Sequence, residues 1–130
     1  MIELVNIEKR FGNIRVLRNI NLNLQEGKVY GLFGPNGVGK TTLLKIMAGY
    51  NKKTSGEYKI NGLDFTYENK DHITFISDKE IFYGWMKIKD AVKYYKDFFT
   101  DFDEEKCLRL VGMMKLEADD KINVLSKGMK

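Results

Sequence analysis

One cysteine, one proline and no long apolar run set the first limits on these 130 residues. With Cys107 alone, no disulfide closes within the chain, and the sequence fits a reducing compartment. No segment approaches the length of a membrane span. The start, Met1-Ile2-Glu3-Leu4-Val5, has neither the basic lead nor the apolar stretch of a secretory signal. A cytoplasmic location is therefore expected, and any membrane role calls for a partner chain. The scarcity of proline and the lack of a Ser/Gly-rich stretch leave no visible linker, and there is no internal repeat or low-complexity tract. Nor is there a block of basic residues. The net charge is +4, but the lysines are spread along the chain, which reads as solvated surface rather than a nucleic-acid footprint. What remains, 43% hydrophobic and 31% charged, suits one soluble globular domain.

Against that background one stretch stands out. Gly34-Pro35-Asn36-Gly37-Val38-Gly39-Lys40-Thr41-Thr42 fits the phosphate-loop pattern G-x-x-x-x-G-K-[ST] without a mismatch. Its glycines let successive N–H groups turn toward an anion, and the start of the following helix adds a favourable field. Lys40 supplies a full positive charge for the outer phosphates, and the Thr41 hydroxyl is the expected ligand of a magnesium ion. The flanks agree with this reading. Lys28-Val29-Tyr30-Gly31-Leu32-Phe33 reads as a strand buried in a parallel sheet, and Thr42 to Ala48 as a helix with apolar Leu43, Leu44 and Met47.

Alternation predicts strands at Ile2 to Ile7 and from Ile14 to Leu24, joined by a turn at Gly12-Asn13. After Gly49 and a polar run, Glu57-Tyr58-Lys59-Ile60 with Asn61-Gly62 reads as a strand and tight turn, and Ile73-Thr74-Phe75-Ile76 as a core strand. Ile88, Ala91, Val92, Tyr95 and Phe99 recur at helical spacing over about residues 87 to 99. A second helix is expected from Asp101 or Asp103, with Asp101 and Glu104 spaced as a capping box and an apolar face of Cys107, Leu108, Val111 and Met114. Gly112 within it costs about 1 kcal/mol against alanine. The aromatic and methionine stripes read as core packing.

With these pieces placed, the whole chain resembles the nucleotide-binding domain of ATP-binding cassette (ABC) proteins. The resemblance implies an α/β P-loop NTPase fold: a mixed or parallel core sheet, a small antiparallel N-terminal β subdomain and a helical subdomain. It divides the chain at residues 1–70, 71–84 and 85–130. On chemistry alone Phe11, in Arg10-Phe11-Gly12, is either a core aromatic beside a turn or a stacking surface; the family places an adenine-stacking aromatic there, with Val16 lining the same face. Leu125-Ser126-Lys127-Gly128-Met129-Lys130 resembles the family's signature motif, commonly Leu-Ser-Gly-Gly-Gln, with Lys127 for a glycine and Met129 for the glutamine. Taken alone that run is a helix cap. In the family it reaches across a head-to-tail dimer to the γ-phosphate held by the other subunit, which assigns Ser126, Lys127, Gly128 and Met129 to the ATP of a second copy.

Asp78 departs from the pattern, standing where the family has a glutamine that contacts the magnesium shell. It either joins the metal site or only caps a turn. Ile81-Phe82-Tyr83-Gly84-Trp85-Met86 offers either a docking surface for a transmembrane coupling helix or a locally buried cluster. The family's magnesium-ordering aspartate, general-base glutamate and later histidine lie beyond Lys130, so no catalytic residue is expected within these residues. The chain is read as part of a longer cassette that binds ATP and Mg2+ but hardly hydrolyses alone, with an open sheet edge that invites self-association. The implied function is the ATP-binding subunit of an ABC transporter. It would pair with a second nucleotide-binding subunit and a separate transmembrane subunit at the inner face of the membrane, without nucleic acid. The runners-up are a soluble ABC protein of DNA repair or the ribosome, and a P-loop nucleotide kinase or GTPase. The latter leaves Phe11 and Ser126 unexplained.

Overall fold

Two neighbouring strands of alternating residues, folded back at Gly12-Asn13, start the architecture. The computed structural model describes residues 1–66, 73–77, 82–126 and 128–129. It divides into two units, Met1–Ile76 and Ser77–Lys130.

In the first unit, β1 (Ile2–Phe11) and β2 (Ile14–Leu24) pair antiparallel, and β3 (Ser55–Ile60) and β4 (Leu63–Asp64) complete a sheet of order β2-β1-β3-β4. Leu4 and Ile7 of β1 are both fully buried, although their spacing of three would place them on opposite faces of a regular strand. A bulge reconciles them. The register slips between Leu4 and Ile7, and Asn6 takes φ 53° there, with its N–H donating to Asn21 Oδ1 at 2.8 Å. Gly56 of β3 passes this bulge so closely that a Cβ would lie 2.5 Å from the Asn6 carbonyl oxygen and 2.6 Å from that of Val5. Only glycine fits.

Helix α1 (Lys40–Met47) lays Leu43 and Ile46 on Leu4, Ile7, Leu17 and Tyr58. The sequence pointed to Leu44 instead of Ile46, but Leu44 is exposed. The helix ends at Gly49, φ 76°, where the Gly49 N–H reaches the Ile46 carbonyl and the Tyr50 N–H that of Lys45, the paired bonds of a Schellman motif. Tyr58 ties this end to the sheet: its hydroxyl donates to the Met47 carbonyl at 2.6 Å and its ring stacks on Phe65. Burial pushes the phenol up to about 12.

Two expected strands are not formed. Residues 28–33 and 73–77 run outside any ladder, with Val29, Phe33 and Ile76 exposed. The sheet among the described residues is antiparallel. An apolar run becomes a strand only where a neighbour takes up its N–H and C=O groups, and no strand among the described residues lies beside either run.

The second unit holds α2 (Ile88–Phe98), α3 (Glu104–Met113) and a 3-10 turn at Ile122–Val124. Ile88, Ala91 and Val92 are buried with Met86 and Ile122. Tyr95 is half-buried, its ring 5.4 Å from Phe99 and 5.7 Å from Phe102, but Phe99, Phe98 and Tyr94 are exposed, so the aromatic stripe expected in the core packs there only in part. The cap of α3 is Asp103, whose carboxylate accepts from the Lys106 N–H at 2.8 Å; Asp101 takes no part. No residue of α3 is fully buried. Cys107 and Val111 are half-buried and Leu108 and Met114 exposed, beside an apolar cleft of about 240 Å³ toward α2 and Leu125.

Candidate phosphate-binding site

The loop between residues 34 and 39 owes its path to glycines. Gly34, Gly37 and Gly39 have φ of 154°, 81° and 105°, conformations closed to most side chains. Gly39 also stands at the N-cap of α1, and the Leu43 N–H donates to its carbonyl at 2.9 Å. Space reinforces the requirement there: a Cβ on Gly39 would meet Leu17 Cδ2 at 2.7 Å and Val16 Cγ1 at 3.3 Å. The loop therefore sits directly on β2, and Val16, expected to line the nucleotide face, is one of its supports.

Lys40 folds back over the loop, its ammonium donating to the carbonyls of Gly34 at 2.7 Å and Pro35 at 2.8 Å. From Asn36 to Thr42 no backbone N–H donates to another group among the described residues. A run of unpartnered donors at a helix start, with an ammonium beside it, is chemically suited to a phosphate chain. Thr41 is exposed, leaving its hydroxyl accessible to a phosphate-bound cation. Among the described residues no cluster of His, Cys, Asp or Glu would hold a metal unaided.

Phe11 ends β1 at the hairpin tip, 49% exposed, with Lys9 Nζ 4.6 Å from its ring centroid. It is no core aromatic. A half-open ring with a cation alongside suits stacking on a flat, electron-rich group. Nothing in the sequence beyond the two-residue spacing of Lys9 and Phe11 on the strand points to this contact.

The other candidate residues belong to the second unit. Ser126 and Gly128 are exposed in a turn, the Met129 N–H reaching the Ser126 carbonyl at 3.0 Å. Lys127 and Asp78 lie outside the described residues. Of the aromatic run, Met86 is buried and Phe82 packs against the core, whereas Tyr83 and Trp85 are 69% and 68% exposed and stacked on each other. Ile81 lies outside the described residues.

One feature was hidden from sequence reasoning. Residues 117–122, which lead into the Ser126 turn, clamp the start of α2. The Ile88 and Lys89 N–H groups donate to the carbonyls of Asp120 and Ala118, and the Ile122 N–H to that of Met86. Asp119 accepts from Lys87 Nζ at 2.8 Å and Lys89 Nζ at 2.6 Å, and these two ammonium groups hold its carboxyl down at about 2. Lys87 is a poor helix cap by type, and the distant carbonyls supply what its side chain lacks. No local pattern announces a bond across such a separation.

The family model for ABC transporters matches residues 17–130. A lantibiotic transport ATP-binding protein of Streptococcus pyogenes is 33% identical over 132 residues, covering all of this chain and 57% of that protein. A spermidine/putrescine import ATP-binding protein of Spiroplasma citri is 33% identical over 138 residues, again across the whole chain but only 39% of its own length. Among solved structures, an ABC transporter ATP-binding protein of Pyrococcus furiosus superposes with a TM-score of 0.77 at 27% identity, over 98% of this chain and 64% of that one. A dimeric ATP-binding cassette bound to ADP and phosphate gives 0.74 at 27%, over 99% and 65%. The chain spans little more than half the length of the first of these relatives. Its fold is that of the ABC ATPase cassettes, and with the family match extending over residues 17–130 the chain belongs to the ABC transporter family.

Proposed function

We propose that the protein is the ATP-binding subunit of an ABC transporter, in which ATP binding and hydrolysis drive transport through a membrane partner. The carrying observation is the run of unpartnered N–H groups from Asn36 to Thr42 with Lys40 alongside. In this reading the loop holds the phosphates, Phe11 and Val16 face the adenine, and Thr41 holds Mg2+, joined by Asp78 in place of the usual glutamine. Mg2+ would neutralise phosphate charge.

Ser126, with Lys127, Gly128 and Met129, meets the ATP of a second copy in a head-to-tail dimer. The dimeric architecture of the relative bound to ADP and phosphate supports that pairing. In this reading these side chains bind and position the nucleotide. Tyr83 and Trp85 are the surface on which a transmembrane subunit docks, holding the protein at the inner face of the membrane. Their exposure and the names of the transport relatives support this. No helix among the described residues is long and apolar enough to cross a membrane.

The test is titration with ATP and magnesium. Replacing Lys40 by alanine is expected to weaken binding at least tenfold, about 1.4 kcal/mol or more. Equal affinity in Lys40→Ala and the parent would sink the proposal.

A further inference from the structure

Ten asparagines are distributed along the chain, and two are followed by glycine: Asn36-Gly37 in the phosphate loop and Asn61-Gly62 in the hairpin after β3. Glycine after asparagine leaves the next peptide nitrogen unshielded, whereas the isoleucines after Asn6, Asn13 and Asn19 crowd it. The two sites differ in restraint. Asn61 takes φ 50° and Gly62 φ 82° in a tight turn between paired strands. The Asn61 N–H donates to the Met1 carbonyl at 2.8 Å, and its side-chain oxygen accepts from the N-terminal ammonium at 2.5 Å. Gly37 has a similar φ, 81°, but Asn36 has neither the flanking paired strands nor these hydrogen bonds. Both Asn36 and Gly37 are exposed, outside helix and strand, and neither makes a hydrogen bond among the described residues.

We propose that Asn36 is a site of spontaneous covalent modification, deamidating through the Gly37 nitrogen and thereby disabling the phosphate loop. The Gly37 backbone nitrogen gives up its proton and attacks the Asn36 side-chain carbonyl carbon. A carbon–nitrogen bond forms to close a cyclic imide, the bond to the side-chain nitrogen breaks, and ammonia leaves with the proton. Water then opens the ring at either carbonyl, giving aspartate or isoaspartate. No oxidant or reductant enters. Either product places a carboxylate among amides suited to an anion, and isoaspartate also lengthens the main chain within the loop.

The same peptide groups that would take up a phosphate include the one that attacks. Bound nucleotide therefore protects Asn36, a consequence that rests on the function proposed above. The chain would lose ATP affinity with age unless nucleotide is present.

The experiment is incubation of the full chain at mildly alkaline pH, with and without ATP and magnesium, followed by peptide mass spectrometry and ATP titration. Asn36 is expected to convert several-fold faster than Asn61, ATP to slow it several-fold, and affinity to fall with the converted fraction. Asn36→Asp should weaken ATP binding roughly tenfold. Conversion of Asn36 no faster than of Asn61 would overturn the proposal. Faster conversion that ATP does not slow would uphold the modification and count against the nucleotide reading instead.

Discussion

Gly34 to Thr42 takes its path from within itself, through three glycine conformations and the Lys40 ammonium on carbonyls five and six residues back, and rests on Val16 and Leu17 of β2. The turn at Ser126 hangs instead on residues 117–122, and these are fixed to the start of α2 by bonds such as Lys87 to Asp119, 32 positions apart. The first arrangement is written in one short pattern. The second exists only once the helical unit has folded. Variants that strike one and spare the other test this division.

The largest effect is expected in the sheet of the first unit, at the bulge of β1. Gly56→Ala drives a Cβ into the backbone of Val5 and Asn6, where nothing flexible yields, at a φ of 95° that a side chain resists. A loss of about 3 kcal/mol is expected in denaturant titration, combining overpacking with backbone strain. Because the contact lies within the first unit, hydrogen exchange at Ile88, Lys89 and Ile122 of the clamp is expected to stay unchanged.

Tyr58→Phe comes next. It removes the bond to the Met47 carbonyl and should cost about 1 kcal/mol. Burial favours the neutral phenol and raises its folded value to about 12 from 10.0. Its contribution is therefore complete below pH 10 and is lost as pH rises toward 12. The parent protein should lose stability across that window more steeply than Tyr58→Phe, and parallel alkaline curves would contradict the assignment.

The smallest effect falls on the clamp. Two lysines lower the folded value of Asp119 to about 2 from 3.8, so the carboxylate contributes above pH 3.8 and loses its contribution as pH falls toward 2. Asp119→Asn should flatten this acid limb and speed amide exchange at Ile88 and Lys89, leaving the exchange of Leu43 in α1 untouched. The pairs are exposed, so global stability should hardly move.

How much was legible in the sequence follows the same line. The phosphate loop, β1 with β2, the turn at Asn61-Gly62 and helix α2 were readable because alternation, helical period and glycine placement act within a few residues. The runs at 28–33 and 73–76 carry apolar residues of strand type, yet a strand also needs a neighbour, which no local pattern supplies. The bulge at Asn6 hid the burial of Ile7 behind an apparently regular alternation. At α3 two aspartates competed for the cap. Asp103 has its carboxylate on the Lys106 N–H, whereas the Asp101–Glu104 spacing fits the pattern without any such bond. The clamp joins residues whose sequence neighbourhoods show nothing in common.

Backbone amides between Asn36 and Thr42 as the phosphate-binding group are the central claim, and amide-resolved NMR during titration with ATP and magnesium addresses it most directly. The account predicts large, saturable shifts of the Gly37 to Thr42 resonances, abolished in Lys40→Ala. Shifts confined to other residues, with these amides unmoved at saturating nucleotide, would contradict it.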